Sequence, residues 1–260
     1  MSHPRILVVP AAGLGSRLGG TLPKALVPVN GRPMLDHLWD LYAPWVDGIV
    51  VVVSPQAHDA VAHHVAARRP PAHLVVQPAP SGMLDAILLP AGTVRAEGAS
   101  EVWVTWCDQV AVHPDTVARL AALADAEGPP LIVPTCPGPL PYIHFVRDAD
   151  GRIVEVRHRR EGDPMPEVGE SDIGVFAMTA DIYLDTLPGW ARQAPRGAGT
   201  GERNFLPFIA WLGRQGGVTT FPCRDATEAI GINTPEELAR VSAYLRHRDA
   251  AGHPGRREGA

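Results

Sequence analysis

The chain has 260 residues, 45% of them hydrophobic, and a formal net charge of −5. That is enough apolar material for a sizeable core, while the near-balanced charge argues against the clustered Lys and Arg of a nucleic-acid surface. The apolar run near the start is too short for a secretory signal and no stretch approaches a membrane span, so a cytosolic protein without a nucleic-acid or membrane partner is expected. Cys107, Cys136 and Cys223 form no C-x-x-C pair, and their odd number argues against a disulfide framework and for a reducing compartment.

Arg5 to Val9 is a continuous apolar strand of the kind buried on both faces of a parallel sheet. A Gly-rich loop runs from Ala11 to Lys24. A short strand is predicted over Ala25 to Val29, turning at Asn30-Gly31. Pro33 then sits in the first turn of a helix that places Leu35, Leu38, Trp39 and Tyr42 on one face. Strands follow at Gly48 to Val53, His73 to Gln77, Glu101 to Trp106 and Leu131 to Pro134. Helices are predicted at Gln56 to Ala67, Gly82 to Leu89 and Pro114 to Ala126. The rhythm then changes. Asp148-Ala149-Asp150-Gly151 joins Tyr142 to Arg147 and Arg152 to Val156 as a hairpin. Ile173 to Met178 is a strand and Arg203 to Leu212 an amphipathic helix. Val218 to Phe221 and Ala229 to Ile232 read as short strands. Thr234-Pro235-Glu236-Glu237 is a capping box opening the last helix.

Repeated strand–helix units predict an α/β fold, a Rossmann-like open and mostly parallel sheet with helices on both faces. One domain over residues 1–247 is expected, its first half ending near 135, with residues 248–260 a disordered tail. Ligands of such sheets bind beyond the carboxyl ends of the strands. The Gly-rich loop after the first strand and Asp108 after the fourth both belong at that edge.

In the loop, Gly13 and Gly15 let the backbone approach a ligand and offer N–H groups to phosphate oxygens. Arg17 and Lys24 add cations, and the set suits a triphosphate. A Walker A loop would need Lys straight after Gly20, where Thr21 stands. A dinucleotide fingerprint would need Gly in place of Leu18. A plain flexible loop is the bland alternative, disfavoured by Arg17 and the Pro23-Lys24 pair.

The run from Val8 to Leu35, with G-L-G-S-R-L, L-P-K-A-L-V-P-V and G-R-P-M-L, resembles the signature of the sugar-1-phosphate nucleotidyltransferase superfamily. Its nearest likeness there is the N-acetylglucosamine-1-phosphate uridylyltransferase domain. The resemblance implies a nucleotidyltransferase with Mg²⁺ as cofactor and an NTP and a phosphorylated small-molecule acceptor as partners. It puts Ala11, Ala12 and Gly13 near the base, with Gly15 and Ser16 in the same nucleotide loop. Arg17 and Lys24 are implied on the phosphates. Gln77, Gly82 and Met83 match the segment that meets a pyrimidine, Met83 standing where Thr is usual. Asp108, after Cys107 in place of the usual Gly, and Asn233 of Gly231-Ile232-Asn233-Thr234-Pro235 are implied as the Mg²⁺ ligands. Arg17, Lys24 and Asp108 are the implied catalytic residues.

The acceptor half departs further from the pattern. Tyr142, His158, Asp172 and Glu202 stand at the implied acceptor positions, His158 where a Glu is usual and Asp172 where an Asn is usual. Asp removes two donors and adds a negative charge. A sugar 1-phosphate, a cyclitol phosphate and a phosphonate all stay open as acceptors, with UTP or another pyrimidine NTP favoured and a cytidylyltransferase as one alternative. Arg157-His158-Arg159-Arg160 reads either as a solvated basic face or as an acceptor-phosphate site. A glycosyltransferase would want an Asp-x-Asp, which Asp108-Gln109-Val110 lacks. A noncatalytic nucleotide-sugar sensor is the remaining alternative.

Overall fold

A computed structural model describes residues 4–13, 15–18, 22–126 and 128–252. In chain order its strands are β1 (Arg5–Pro10), β2 (Pro28–Val29), β3 (Arg32–Pro33), β4 (Gly48–Val53), β5 (Ala72–Val76), β6 (Glu101–Thr105), β7 (Leu131–Pro139), β8 (Ile143–Arg147), β9 (Ile153–His158), β10 (Val168–Asp172), β11 (Val175–Thr179) and β12 (Val218–Pro222). The α-helices are α1 (Met34–Tyr42), α2 (His58–Val65), α3 (Met83–Leu88), α4 (Ala91–Ala96), α5 (Pro114–Asp125), α6 (Leu187–Ala191), α7 (Leu206–Gly213) and α8 (Pro235–Gly252).

The main sheet runs β10-β7-β11-β6-β1-β4-β5, with β12 beside β7. β1 pairs in parallel with β4 and β6, and β4 with β5, while β11 runs antiparallel between β6 and β7. This is the Rossmann-like, mostly parallel sheet that the strand–helix alternation predicts. The burial of β1 on both faces explains its unbroken apolar run. Leu7 and Val9 join one core with α1, α2, α5 and α8, while Ile6 and Val8 join the other with α3, α4, α6 and α7. The β8–β9 hairpin packs into that second core through Ile143, Phe145 and Ile153. The chain reverses direction across the sheet between β1 and β6, whose carboxyl ends therefore frame a topological switch point.

Several elements differ from the sequence reading. Lys24–Leu26 is a 3₁₀ turn and only Pro28–Val29 is extended, pairing with β3 across Asn30 (φ 50°) and Gly31 (φ 80°). Both turn residues are left-handed, as a two-residue hairpin turn requires. The strand expected at Ala229 to Ile232 does not form: Ala229 ends a 3₁₀ turn, Ala226–Ala229, held by a capping box of Asp225 and Glu228, and residues 230–232 pair with no strand among the described residues. β7 continues past Pro134 to Pro139, its outer half pairing with β10. β10, α4 and α6 carry too little periodicity to stand out in sequence. α7 begins at Leu206, after a loop docked on α3. Helix α8 runs through residues 248–252, into the segment read as a tail. Residues 253–260 lie outside the described residues.

Candidate active site

The two strands flanking the switch point each deliver one side of the site. From β1 the chain turns out at Ala11, whose N–H donates to the Val52 carbonyl at 2.7 Å and pins the loop to β4. Ala11 is buried, Ala12 half-buried and Gly13 exposed with open space where a Cβ would stand. Gly15 has φ +62°, and a Cβ there would meet the Lys24 Cβ at 3.1 Å. The loop thus closes on Lys24 at a point only glycine fits easily. Ser16–Leu18 forms a 3₁₀ turn with Arg17 exposed. The Ser16 side chain, residue 14 and residues 19–21 lie outside what is described.

From β6 the chain reaches Asp108, whose carboxylate forms an ion pair with the Lys24 ammonium. The same ammonium donates to Asn233 Oδ1 at 2.7 Å. Lys24, Asp108 and Asn233, scattered along the chain, therefore meet at one point. Two local devices set this up. The Ile232 N–H donates to the Asp108 carbonyl at 3.2 Å, and a Cβ on Gly231 would lie 3.3 Å from Asp108 Oδ2. The 231–233 segment therefore lies close against the Asp108 turn. The capping box read from Thr234 to Glu237 is present, with Thr234 N–H on Glu237 Oε2 at 2.9 Å and Glu237 N–H on Thr234 Oγ1 at 3.2 Å. Glu237 Oε2 also accepts the Asn233 N–H at 2.7 Å, which fixes where Asn233 starts.

Asp108 and Asn233 offer one carboxylate and one amide oxygen to a single cationic atom. That donor set suits a hard divalent ion whose other positions are filled by water and phosphate. Among the described residues there is no cluster of three or more His, Cys, Asp or Glu able to hold a metal by themselves.

Behind Asp108 lies a residue the sequence reading missed. Glu228 is fully buried, and its carboxylate accepts from the backbone N–H groups of His113 (2.9 Å), Arg224 (2.8 Å) and Asp225 (2.8 Å). Its carbonyl accepts from Gln109 Nε2 at 2.5 Å. The Asp108–His113 turn and the 224–233 segment are thereby bolted together. The sequence signal was present in Asp225-x-x-Glu228, a capping box preceding a short helix.

On the nucleotide side, Gln77 is buried and its amide donates to Ser81 Oγ at 3.3 Å. Gly82 has φ +115°, and a Cβ there would meet the Arg203 carbonyl oxygen at 2.7 Å and Arg203 N at 2.9 Å. Arg203 forms an ion pair with Asp85 on α3. Glu202, read as an acceptor residue, is therefore seated against Gly82, and the two halves of the proposed site touch there. Met83 begins α3 and is exposed.

The other acceptor positions divide in two. Tyr142 is exposed and its ring meets His158 edge-on, with centroids 5.0 Å apart. His158 Nδ1 lies 3.0 Å from Asn204 Nδ2, while Nε2 is buried without a partner among the described residues. Burial holds the imidazole below its ordinary pKa. His158 lines a recess of about 90 Å³ with Glu161, Asp163, Arg196 and Asn204. Asp172 stands apart, at the end of β10. It accepts the Gly174 N–H at 2.7 Å, and desolvation pushes its carboxyl up to about 6. The Gly174 turn lies beside Trp106 and Gln109, next to Asp108. Arg157 pairs with Glu155 and Arg159 donates to the Pro141 carbonyl, so both sit in local contacts.

Comparison with known proteins assigns the chain to a family. The family described as MobA-like NTP transferase domain matches residues 7–165, a span that includes the Gly-rich loop, Lys24, Gln77, Asp108 and His158. Asp172, Glu202 and Asn233 lie beyond that match. Relatives named Bifunctional protein GlmU extend further. The protein of Pelotomaculum thermopropionicum is 29% identical over 245 residues, 93% of this chain and 52% of its own. That of Alkalilimnicola ehrlichii is 30% identical over 252 residues, 96% of this chain and 52% of its own. The chain thus spans about half the length of the curated relatives it matches. No helix among the described residues is long and apolar enough to cross a membrane.

Proposed function

Because the chain belongs to the MobA-like NTP transferase family, we propose that it joins an NTP, UTP or another pyrimidine NTP being favoured, to a phosphorylated small molecule and releases pyrophosphate. A sugar 1-phosphate is the acceptor class we favour, and the cytosol its compartment. The observation that carries this reading is the meeting of Lys24, Asp108 and Asn233 at the carboxyl edge of β1 and β6, beside a loop with exposed backbone at Gly13.

In this reading Ala11, Ala12 and Gly13 take the base, with Gln77, Gly82 and Met83 on its edge. Gly15, Ser16 and Arg17 take the phosphates. Lys24 leaves its ion pair with Asp108 and turns to the triphosphate, and Asp108 with Asn233 would hold Mg²⁺. When bound, that ion supplies positive charge for the anions brought together in transfer. The acceptor phosphate oxygen attacks the α-phosphorus in line and pyrophosphate leaves. The nucleophile is already an anion near neutral pH, so no residue need act as a general base. Tyr142, His158, Asp172 and Glu202 are proposed around the acceptor.

The test is pyrophosphate release over UTP, CTP, GTP, ATP and dTTP crossed with sugar, cyclitol and phosphonate acceptors, with and without Mg²⁺. Release with one pair, dependent on Mg²⁺ and lost in folded Asp108→Ala, is expected. NTP binding with no release from any pair would favour a nucleotide sensor instead.

A further inference from the structure

Cys136 and Cys223 form a pair that the proposed transfer does not use. β12 runs parallel to β7 with Pro222 opposite Thr135, and the Cys223 N–H still donates to the Thr135 carbonyl at 2.7 Å. One step further along both strands, Cys223 therefore stands beside Cys136. Neighbouring strands are about 4.8 Å apart, within the ~4.4–6.8 Å between Cα atoms that a disulfide spans. Both side chains leave the same face of the sheet. Ile132, Cys136 and Phe221 share one buried cluster and Cys223 packs against it.

Each thiol also has a backbone partner. Cys136 S–H donates to the Pro137 carbonyl at 3.5 Å and Cys223 S–H to the Asp225 carbonyl at 3.4 Å, while each thiol perturbs the titration of the other. Cys223 is half-exposed at an open recess of about 380 Å³ shared with Asp115, Arg119 and Arg224. Cys136 is only 4% exposed. That difference selects a small oxidant over a bulky one. Cys107, by contrast, is buried beside Asp108, and its thiol is pushed up to about 12 by burial first and the carboxylate second.

We propose that Cys136 and Cys223 are an oxidation site that a hydroperoxide converts to a reversible disulfide. One thiolate of the pair attacks an oxygen of hydrogen peroxide, the O–O bond breaks, and the departing hydroxide takes a proton and leaves as water. That cysteine is then a sulfenic acid. The other sulfur attacks it, the S–O bond breaks, and the oxygen leaves as a second water carrying the second thiol's proton. Two thiols thus lose two electrons and two protons, and one peroxide is reduced to two waters. The new bond ties β7 to the segment that leads to Glu228 and Asn233.

The experiment uses the reduced full chain, titrated with hydrogen peroxide under native conditions, with thiol counting and peptide mapping. Two of the three thiols should disappear together, return on addition of dithiothreitol, and map to a Cys136–Cys223 linked peptide. Cys136→Ser and Cys223→Ser should each give no linked peptide, and in one of them the remaining thiol of the pair should stop at a sulfenic acid that a 1,3-dione traps. A folded wild-type chain that gives no Cys136–Cys223 peptide, or that loses Cys107 as fast as Cys136, overturns the proposal.

Discussion

Glu228→Ala tests the claim that a buried carboxylate assembles the floor beneath Asp108. The side chain is 0% exposed and satisfies three backbone N–H groups, at His113, Arg224 and Asp225. Each buried N–H stripped of its acceptor costs about 1–3 kcal/mol. Removing the carboxylate also removes its own desolvation cost, which offsets part of that loss. A net destabilisation of about 3–5 kcal/mol is expected, in the range for breaking a buried charged network. Glu228→Gln should cost less, about 1–3 kcal/mol, because one oxygen keeps its bonds while the amide NH₂ meets a backbone donor. Urea unfolding read at unchanged slope measures both variants. If both unfold within about 0.5 kcal/mol of the parent chain, the range of an ordinary surface substitution, the carboxylate is not what joins these segments.

Asp108→Ala should abolish Mg²⁺-dependent pyrophosphate release in a chain that keeps its circular dichroism and cooperative unfolding; a near-parental rate would remove Asp108 from the chemistry. Gly82→Ala should lose about 1–3 kcal/mol, the range for a strained backbone conformation. Its φ is +115° and the new methyl would press on Arg203 backbone; an unchanged melting temperature would mean the 200–205 loop is not seated there. Asp172 has its folded pKa raised to about 6 by burial, so its charged form is penalised in the folded state. That penalty is complete above about pH 6 and fades as the pH falls towards the unfolded value. Asp172 keeps some solvent contact, so the penalty is discounted to on the order of 1–2 kcal/mol. Asp172→Asn should therefore be the more stable chain at pH 8 and lose that advantage near pH 4. A constant difference in urea midpoints across that range would contradict the assignment.

The two-sided burial of β1 and β4 was legible in the sequence because a strand covered on both faces must be apolar at every position. The capping box at Thr234 was legible because its hydrogen bonds span only three residues. The 3₁₀ turn at Lys24–Leu26 was not, since short apolar runs satisfy strand and turn alike until their partners are known. The strand β10 hides for a similar reason. Its Val168 and Glu170 side chains carry no strong alternation, and pairing with β7 decides its conformation.

The sequence by itself determined the alternation of strands and helices, the glycines the loop needs, and the Arg, Lys, Asp and Asn side chains proposed here for phosphate and metal. These depend on residue type and near-neighbour spacing. Only the tertiary structure decided that the Lys24 ammonium rests between Asp108 and Asn233, that Glu228 locks the turns behind them, and that Cys136 stands beside Cys223. Each of those contacts joins residues far apart along the chain. Which ones form is settled by strand order, register and close packing around the glycines, not by local pattern.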